Sequence, residues 1–247
     1  KVLLQGNRMK NRFVKRTALL LFFFAIACME LRAQPFEVGE RLTYAVKLSI
    51  FPVGKQILEV QEVTRINGQL TYHLSSSVRT SGWADQFLSY SHRLESFVDV
   101  DTLYPRQIRS YAQEGDSPPK DIIVQIDQEK GMASIENRTM EKEWERELSS
   151  VTLDTTSLIY WLRNQELQVG QIFSFLLLED TSLRPITIKV LKKEKVEDHL
   201  AFLCSEVGSD KIRIWFSADE NRLPLKIVTD ISVGTLTFRL TKIENGQ

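Results

Sequence analysis

The chain has 247 residues, with 32 Lys and Arg against 32 Asp and Glu, a formal net charge of zero and 43% apolar side chains. Seven of the basic residues and one of the acidic ones fall in positions 1–33, so the other 214 residues carry 25 basic and 31 acidic side chains, a net −6. That balance excludes the basic footprint of a nucleic-acid binder, and no Lys/Arg stripe interleaved with aromatics occurs.

The first element is a leader. Lys10, Arg12, Lys15 and Arg16 run into the uncharged stretch Thr17–Met29 and then into Leu31-Arg32-Ala33-Gln34. A basic segment, a short apolar segment and a small residue before the cut are what an exporting translocon and a signal peptidase read. The apolar stretch is short of the ~20 residues that a membrane-spanning helix needs. Residues 1–33 are therefore expected to be an N-terminal extension and signal peptide starting at Met9, cut between Ala33 and Gln34. The alternative is Cys28, because Ala25-Ile26-Ala27 before it resembles the small-residue box that precedes the lipidated cysteine of bacterial lipoproteins. Either cut predicts export, to the periplasm or the periplasmic face of the outer membrane, with no transmembrane span.

Residues 34–247 are long enough for one β-rich domain with a core of its own. After cleavage at Ala33 only Cys204 remains, so no intramolecular disulfide is expected and stability must come from packing. Two-residue alternation runs through almost all of this region. Leu42, Tyr44, Val46, Leu48 and Ile50 mark a first strand. Gln56–Arg65 and Gln69–Thr80 follow across Asn67-Gly68, a pair suited to the positive φ of a tight hairpin. Further strands are expected at 88–99, 107–112, 121–127, 132–137, 171–178, 184–192, 199–207, 211–216, 225–230 and 236–240. Short turns between neighbours predict antiparallel pairing.

One helix interrupts the pattern at about 155–165, after the polar cap Asp154-Thr155-Thr156-Ser157. Leu158, Trp161, Leu162 and Gln165 share a face, so an amphipathic helix lining the open side of a sheet is expected. It separates two β-halves, about 36–150 and 167–243. The fold class that results is all-β and mainly antiparallel, a curved meander forming a barrel or half-barrel with one helix.

Three segments resemble an exported bacterial family known as domain of unknown function 3108. They are Phe36-Glu37-Val38-Gly39-Glu40-Arg41-Leu42-Thr43-Tyr44, then Ser157–Arg163 with Leu167–Gln171, then Ile212–Leu225 followed by Gly234. The resemblance spans about 36–243 and implies an exported, β-rich envelope protein. It brings no reaction, ligand or catalytic residue with it.

Motifs for common hydrolases, phosphate loops and paired-cysteine sites are absent, so no catalytic residue, metal or cofactor is assigned. His73 alternates away from Leu70, Tyr72 and Leu74 and is expected to face solvent. His92 shares the face of Tyr90 and Leu94 and is expected in the core, bonded to a backbone group or hydroxyl. Cys204 reads as a small buried hydrophobe. Glu141, Glu143, Glu145 and Glu147 alternate with Lys142, Trp144 and Arg146, which suits a solvated edge strand or loop. The strand 172–178 is apolar on both faces, so it is covered by the helix or lines a cavity. Tyr90, His92, Trp161, Phe173 and Phe175 are the expected ligand-contact residues. Trp83, in a loop Ser81–Asp85, is the expected partner contact.

The expected function is non-catalytic binding of a hydrophobic or amphiphilic ligand, such as a lipid. A structural or accessory module of an outer-membrane or polysaccharide assembly, contacting an envelope protein, is the alternative. A hydrolase would need Asp85, Asp99 or Asp101 to converge with His92.

Overall fold

The computed structural model describes residues 34–87, 89–209 and 211–246. The expected leader, Ala33 and Cys28 lie outside the described residues, and Gln34 is the first of them. From Pro35 onward the chain forms a compact unit.

The first arm is β1 (Arg41–Leu48), β2 (Phe51–Ile66), β3 (Gln69–Thr80), β4 (Tyr90–Asp99), β5 (Pro105–Glu114), β6 (Lys120–Asp127), β7 (Met132–Asn137) and β8 (Lys142–Glu147). A five-residue helix, α1 (Trp83–Phe87), bridges β3 and β4 where a loop was expected. Next come β9 (Thr152–Asp154) and α2 (Thr155–Arg163). The second arm is β10 (Ile172–Glu179), β11 (Ser182–Val196), β12 (His199–Glu206), β13 (Ile212–Ser217), β14 (Pro224–Ile231) and β15 (Gly234–Glu244).

The fifteen strands among the described residues form one sheet, ordered β8-β7-β6-β5-β4-β3-β2-β1-β15-β14-β13-β12-β11-β10-β9. The first and last of these strands meet at its centre, where β1 pairs antiparallel with β15. Its two edges, β8 and β9, are neighbours in sequence. Five residue steps from Glu147 to Thr152 span at most about 18 Å, so the edges must lie close and the sheet must curl. No ladder joins them, and the structure is a half-barrel. The Gln128 side chain serves the β9 edge instead: its Nε2 donates to Thr152 O at 2.7 Å and its Oε1 accepts from Thr152 N at 3.1 Å. On the β8 edge Glu143, Glu145 and Glu147 are exposed, charges that discourage pairing with another chain.

One pair departs from the antiparallel expectation. β9 runs parallel to β10, and a parallel pair needs a long crossover, which α2 and the segment after it supply. The crossover places α2 inside the curl. Asp154 caps it, accepting from Thr156 N at 2.8 Å and Ser157 N at 3.1 Å, while Ser157 Oγ accepts from Asp154 N at 2.9 Å.

The helix is not amphipathic in the expected sense. Seven of its nine residues are buried, Thr156 to Tyr160 with Leu162 and Arg163, because sheet covers nearly its whole circumference. Leu158, Ile159 and Leu162 join Leu42, Tyr44, Val46 and Phe175 in the main core. A second core packs Leu176 and Leu178 against Ile108, Ile122 and Ile135 of the first arm. The doubly apolar strand is therefore β10 wedged between two cores. Each fully buried Leu or Ile contributes about 1.5–3 kcal/mol.

His73 corrects another expectation. It does face the outer side of β3, yet only 12% of its side chain is exposed. Phe97 stands directly opposite on β4 and stacks on the imidazole at a centroid distance of 4.3 Å. Alternation gives the direction of a side chain, whereas cross-strand neighbours decide whether water reaches it.

Candidate functional site

At the N-terminal end of α2 the half-barrel opens as a groove of about 280 Å³. Its apolar wall comes from Val78 and Leu94 on β3 and β4, Leu158 and Ile159 on α2, and Ile212, Ile214, Ile227 and Phe238 on β13–β15. The strand residues among them point inward because each sits on the concave-facing half of its strand's alternation. Gln56, Ser76, Thr155, Thr156, Thr229 and Glu179 supply the polar atoms.

A second lobe of about 260 Å³ adjoins the first and shares His92, Leu94, Thr155 and Glu179 with it. It adds Ser110, Asp154 and Asp180 and an apolar wall of Ile108, Ile122, Val124 and Leu178. Both lobes thus have apolar walls, and the second is edged by three carboxylates.

His92 stands between them. Its Nε2 lies 3.0 Å from Ser110 Oγ, a hydrogen bond to a hydroxyl across β4 and β5. Burial pushes its pKa below the usual histidine value; the nearby Asp180 carboxylate opposes that shift and Lys120 adds to it. Tyr90 packs at a tilt with its ring 6.5 Å from the imidazole. Burial, then Asp180 and Glu114, raise its phenol above the ordinary range. Asp154 is buried and fully engaged: besides its capping bonds it accepts from Ser96 Oγ at 2.7 Å and from Ser157 Oγ at 2.6 Å.

The expected ligand residues separate into two groups. His92 lines both lobes and Tyr90 is beside it. Trp161, Phe173 and Phe175 do not line the groove; they form an aromatic cluster of their own, with Trp161 edge-on to Phe173 at 5.3 Å and to Phe175 at 4.9 Å. Periodicity finds apolar faces but cannot distinguish a cavity wall from a packed core. The expected partner residue Trp83 is 49% exposed on α1, with the exposed Phe51 at 6.1 Å and Phe87 at 6.2 Å.

The carboxylates named for a hydrolase do not reach His92. Asp99 is at the opposite end of β4, seven residues or about 23 Å along the strand, and is held by Arg106 at 2.9 Å. Asp101 lies in the turn after it, and Asp85 accepts from Thr80 Oγ1 at 2.9 Å. Asp154, Glu179 and Asp180 take that place instead. The first reads in sequence as a helix cap and the other two as a turn, so nothing marks them as neighbours of His92.

At the other end of α2 a buried ion pair holds the fold together. Arg163 is wholly buried, and its guanidinium donates to Glu40 Oε1 at 2.6 Å and Oε2 at 3.0 Å. It also donates to Pro35 O at 2.8 Å and Asn221 O at 3.2 Å, and it lies over the rings of Phe36 and Tyr160. Tyr44 donates to Pro224 O beside it. The three sequence segments that resemble the family meet here.

Among the described residues no group of three or more His, Cys, Asp or Glu could hold a metal ion. No helix among them is long and apolar enough to cross a membrane.

Residues 43–241 match the sequence profile of a family described as Protein of unknown function (DUF3108). The chain belongs to this family. No curated protein matches it. Among solved structures it is similar to a beta-barrel-like protein of domain of unknown function DUF1849 from Brucella abortus. The two are 15% identical with a TM-score of 0.58, over 86% of this chain and 99% of that one. A Pseudomonas aeruginosa protein of the DUF1089 family covers 70% of this chain at 13% identity and a TM-score of 0.41. The first likeness supports the barrel-like fold of this DUF3108 protein and assigns no activity.

Proposed function

We propose that this chain is an exported, non-catalytic binding protein whose groove takes a hydrophobic or amphiphilic ligand. The observation that carries the proposal is the groove itself: an isoleucine-lined lobe running into a second apolar lobe edged by carboxylates, at the end of a buried helix. Mostly apolar concave sites with a few polar groups are the usual form of small-molecule sites. Export rests on the basic and apolar pattern of residues 10–34.

Binding is favoured over catalysis by the surroundings of Ser110. Its Oγ is 3.0 Å from His92 Nε2, the spacing of a nucleophile and its base. Ser110 lies mid-strand, however, paired with Leu94 on one side and Ile122 on the other. Backbone N–H groups committed to a ladder are not available to stabilise an oxyanion.

The test compares protein as isolated with protein stripped by organic extraction and refolded. A bound ligand stabilises by RT ln(1 + [L]/Kd), about 2.7 kcal/mol at a hundredfold excess over Kd. The stripped sample should melt lower and recover when the extract is returned. Equal melting temperatures with no extractable amphiphile would refute the proposal.

A second reading, an accessory module of an envelope assembly, draws support from the exposed Trp83, which has the exposed Phe51 and Phe87 beside it. Cross-linking through position 83 that captures one stoichiometric envelope protein would favour it.

A further inference from the structure

The charged groups of the groove have a chemical bias. Its walls hold the carboxylates of Asp154, Glu179 and Asp180 and no Lys or Arg. Arg184 donates to Glu179 at 2.9 Å but also to Glu206 at 2.6 Å, so one cation is shared between two anions. Asp154 and Asp180 make no ion pair among the described residues.

Two further atoms point the same way. Thr156 is 1% exposed and lines the apolar lobe, yet its hydroxyl has no hydrogen-bond partner. Gln56 lines the same lobe; its Nε2 donates to Ser76 Oγ at 2.9 Å while its buried Oε1 accepts from nothing. An amide oxygen can only accept, so the missing partner must be a donor. A ligand donor seated at the wall the two lobes share, by His92 and Glu179, enters the lobe that these two atoms line and can satisfy them.

We infer that the ligand of this groove is an amine-bearing amphiphile, its chain among the isoleucines and its cationic head at His92, Glu179 and Asp180. The inference rests on the groove being a ligand site, as proposed above. A carboxylate or phosphate head would be driven against three carboxylates in a partly desolvated cleft, whereas an ammonium brings both the positive charge and the donors that the walls lack.

The experiment titrates stripped protein near neutral pH with decylamine, decanol and decanoate below their micellar concentrations, by calorimetry. These probes share a chain and differ only in the head. Decylamine should bind tightest, up to about fivefold better than decanol, since a partly exposed ion pair contributes up to ~1 kcal/mol, and decanoate should bind weakest. Combining Glu179→Gln with Asp180→Asn should bring the amine-to-alcohol ratio towards one; both residues are exposed, and asparagine tolerates the positive φ of 52° at position 180. Decanoate binding as well as decylamine, or an amine preference that survives both substitutions, would overturn the inference while leaving the groove as a binding site. Failure of all three probes to bind would overturn the groove reading itself.

Discussion

Replacing Arg163 by methionine leaves the Glu40 carboxylate buried with no counter-charge. The side chain is wholly buried, Glu40 is 5% exposed, and both carboxylate oxygens lie within 3.0 Å of the guanidinium. Removing one member of a buried pair costs about 3–5 kcal/mol, because the remaining ion keeps its desolvation penalty and loses its partner. For a chain of this size about 2–4 °C of melting temperature goes with each kcal/mol, so the variant should melt roughly 6–20 °C lower. Glu40→Leu should cost a similar amount for the mirror-image reason. The double variant should recover most of the loss, since a well-packed apolar pair carries no stranded charge. A deficit of about 1–2 kcal/mol should persist, because the carbonyls of Pro35 and Asn221 lose their donor. Urea melts of the four proteins close the cycle. Singles that each lose under about 1 kcal/mol, or a double variant as unstable as the sum of its singles, would refute the reasoning.

Three other perturbations probe separate parts of the structure. The pKa of His92 is lowered by burial from 6.5, so the folded state resists a proton that the unfolded state takes up. Stability should be full above pH 6.5, fall as the pH drops from there through the lowered value, and level off below it; His92→Gln should flatten that part of the curve, and an unchanged pH profile would show that the imidazole is not desolvated. Cys204 is buried with its thiol pushed up to about 12, so a disulfide reagent should label it only after urea unfolds the protein, and prompt labelling of native protein would contradict the packing. At Gly54 an added Cβ would sit 2.2 Å from Arg79 O. Gly54→Ala should therefore destabilise by about 1–3 kcal/mol in a urea melt through forced movement of the β2–β3 pair, and a neutral result would mean that the strands separate at little cost.

Much of the secondary structure is legible because it is local. Asn67 and Gly68 both adopt positive φ, at 50° and 84°, which joins β2 to β3 as the dipeptide predicts. Asp154 and Ser157 form the reciprocal cap that starts α2. β9 escapes notice because Thr152, Leu153 and Asp154 are all buried and show no alternation, and α1 is too short to display a helical period. What joins distant parts of the chain is not legible in period. Arg163 and Glu40 are 123 residues apart, and Arg163 looks in sequence like the charged end of a short helix. Their segments do stand among those that resemble the family, which is the signal that could have raised them. The groove is harder still, because its walls come from β2, β3, β4, α2, β10 and β13–β15, and only the curl of the sheet brings them together. The aromatic residues that sequence favours as contacts, Trp161, Phe173 and Phe175, went to packing instead.

The central claim is that the groove holds a ligand, and native mass spectrometry of protein prepared from its own cells tests it most directly. The account predicts one amphiphile retained per chain, released by organic extraction, and absent from a folded Val78→Trp variant whose added ring fills the groove wall. Wild-type protein that is folded and empty, or a mass increment that persists unchanged in the Val78→Trp variant, would contradict it.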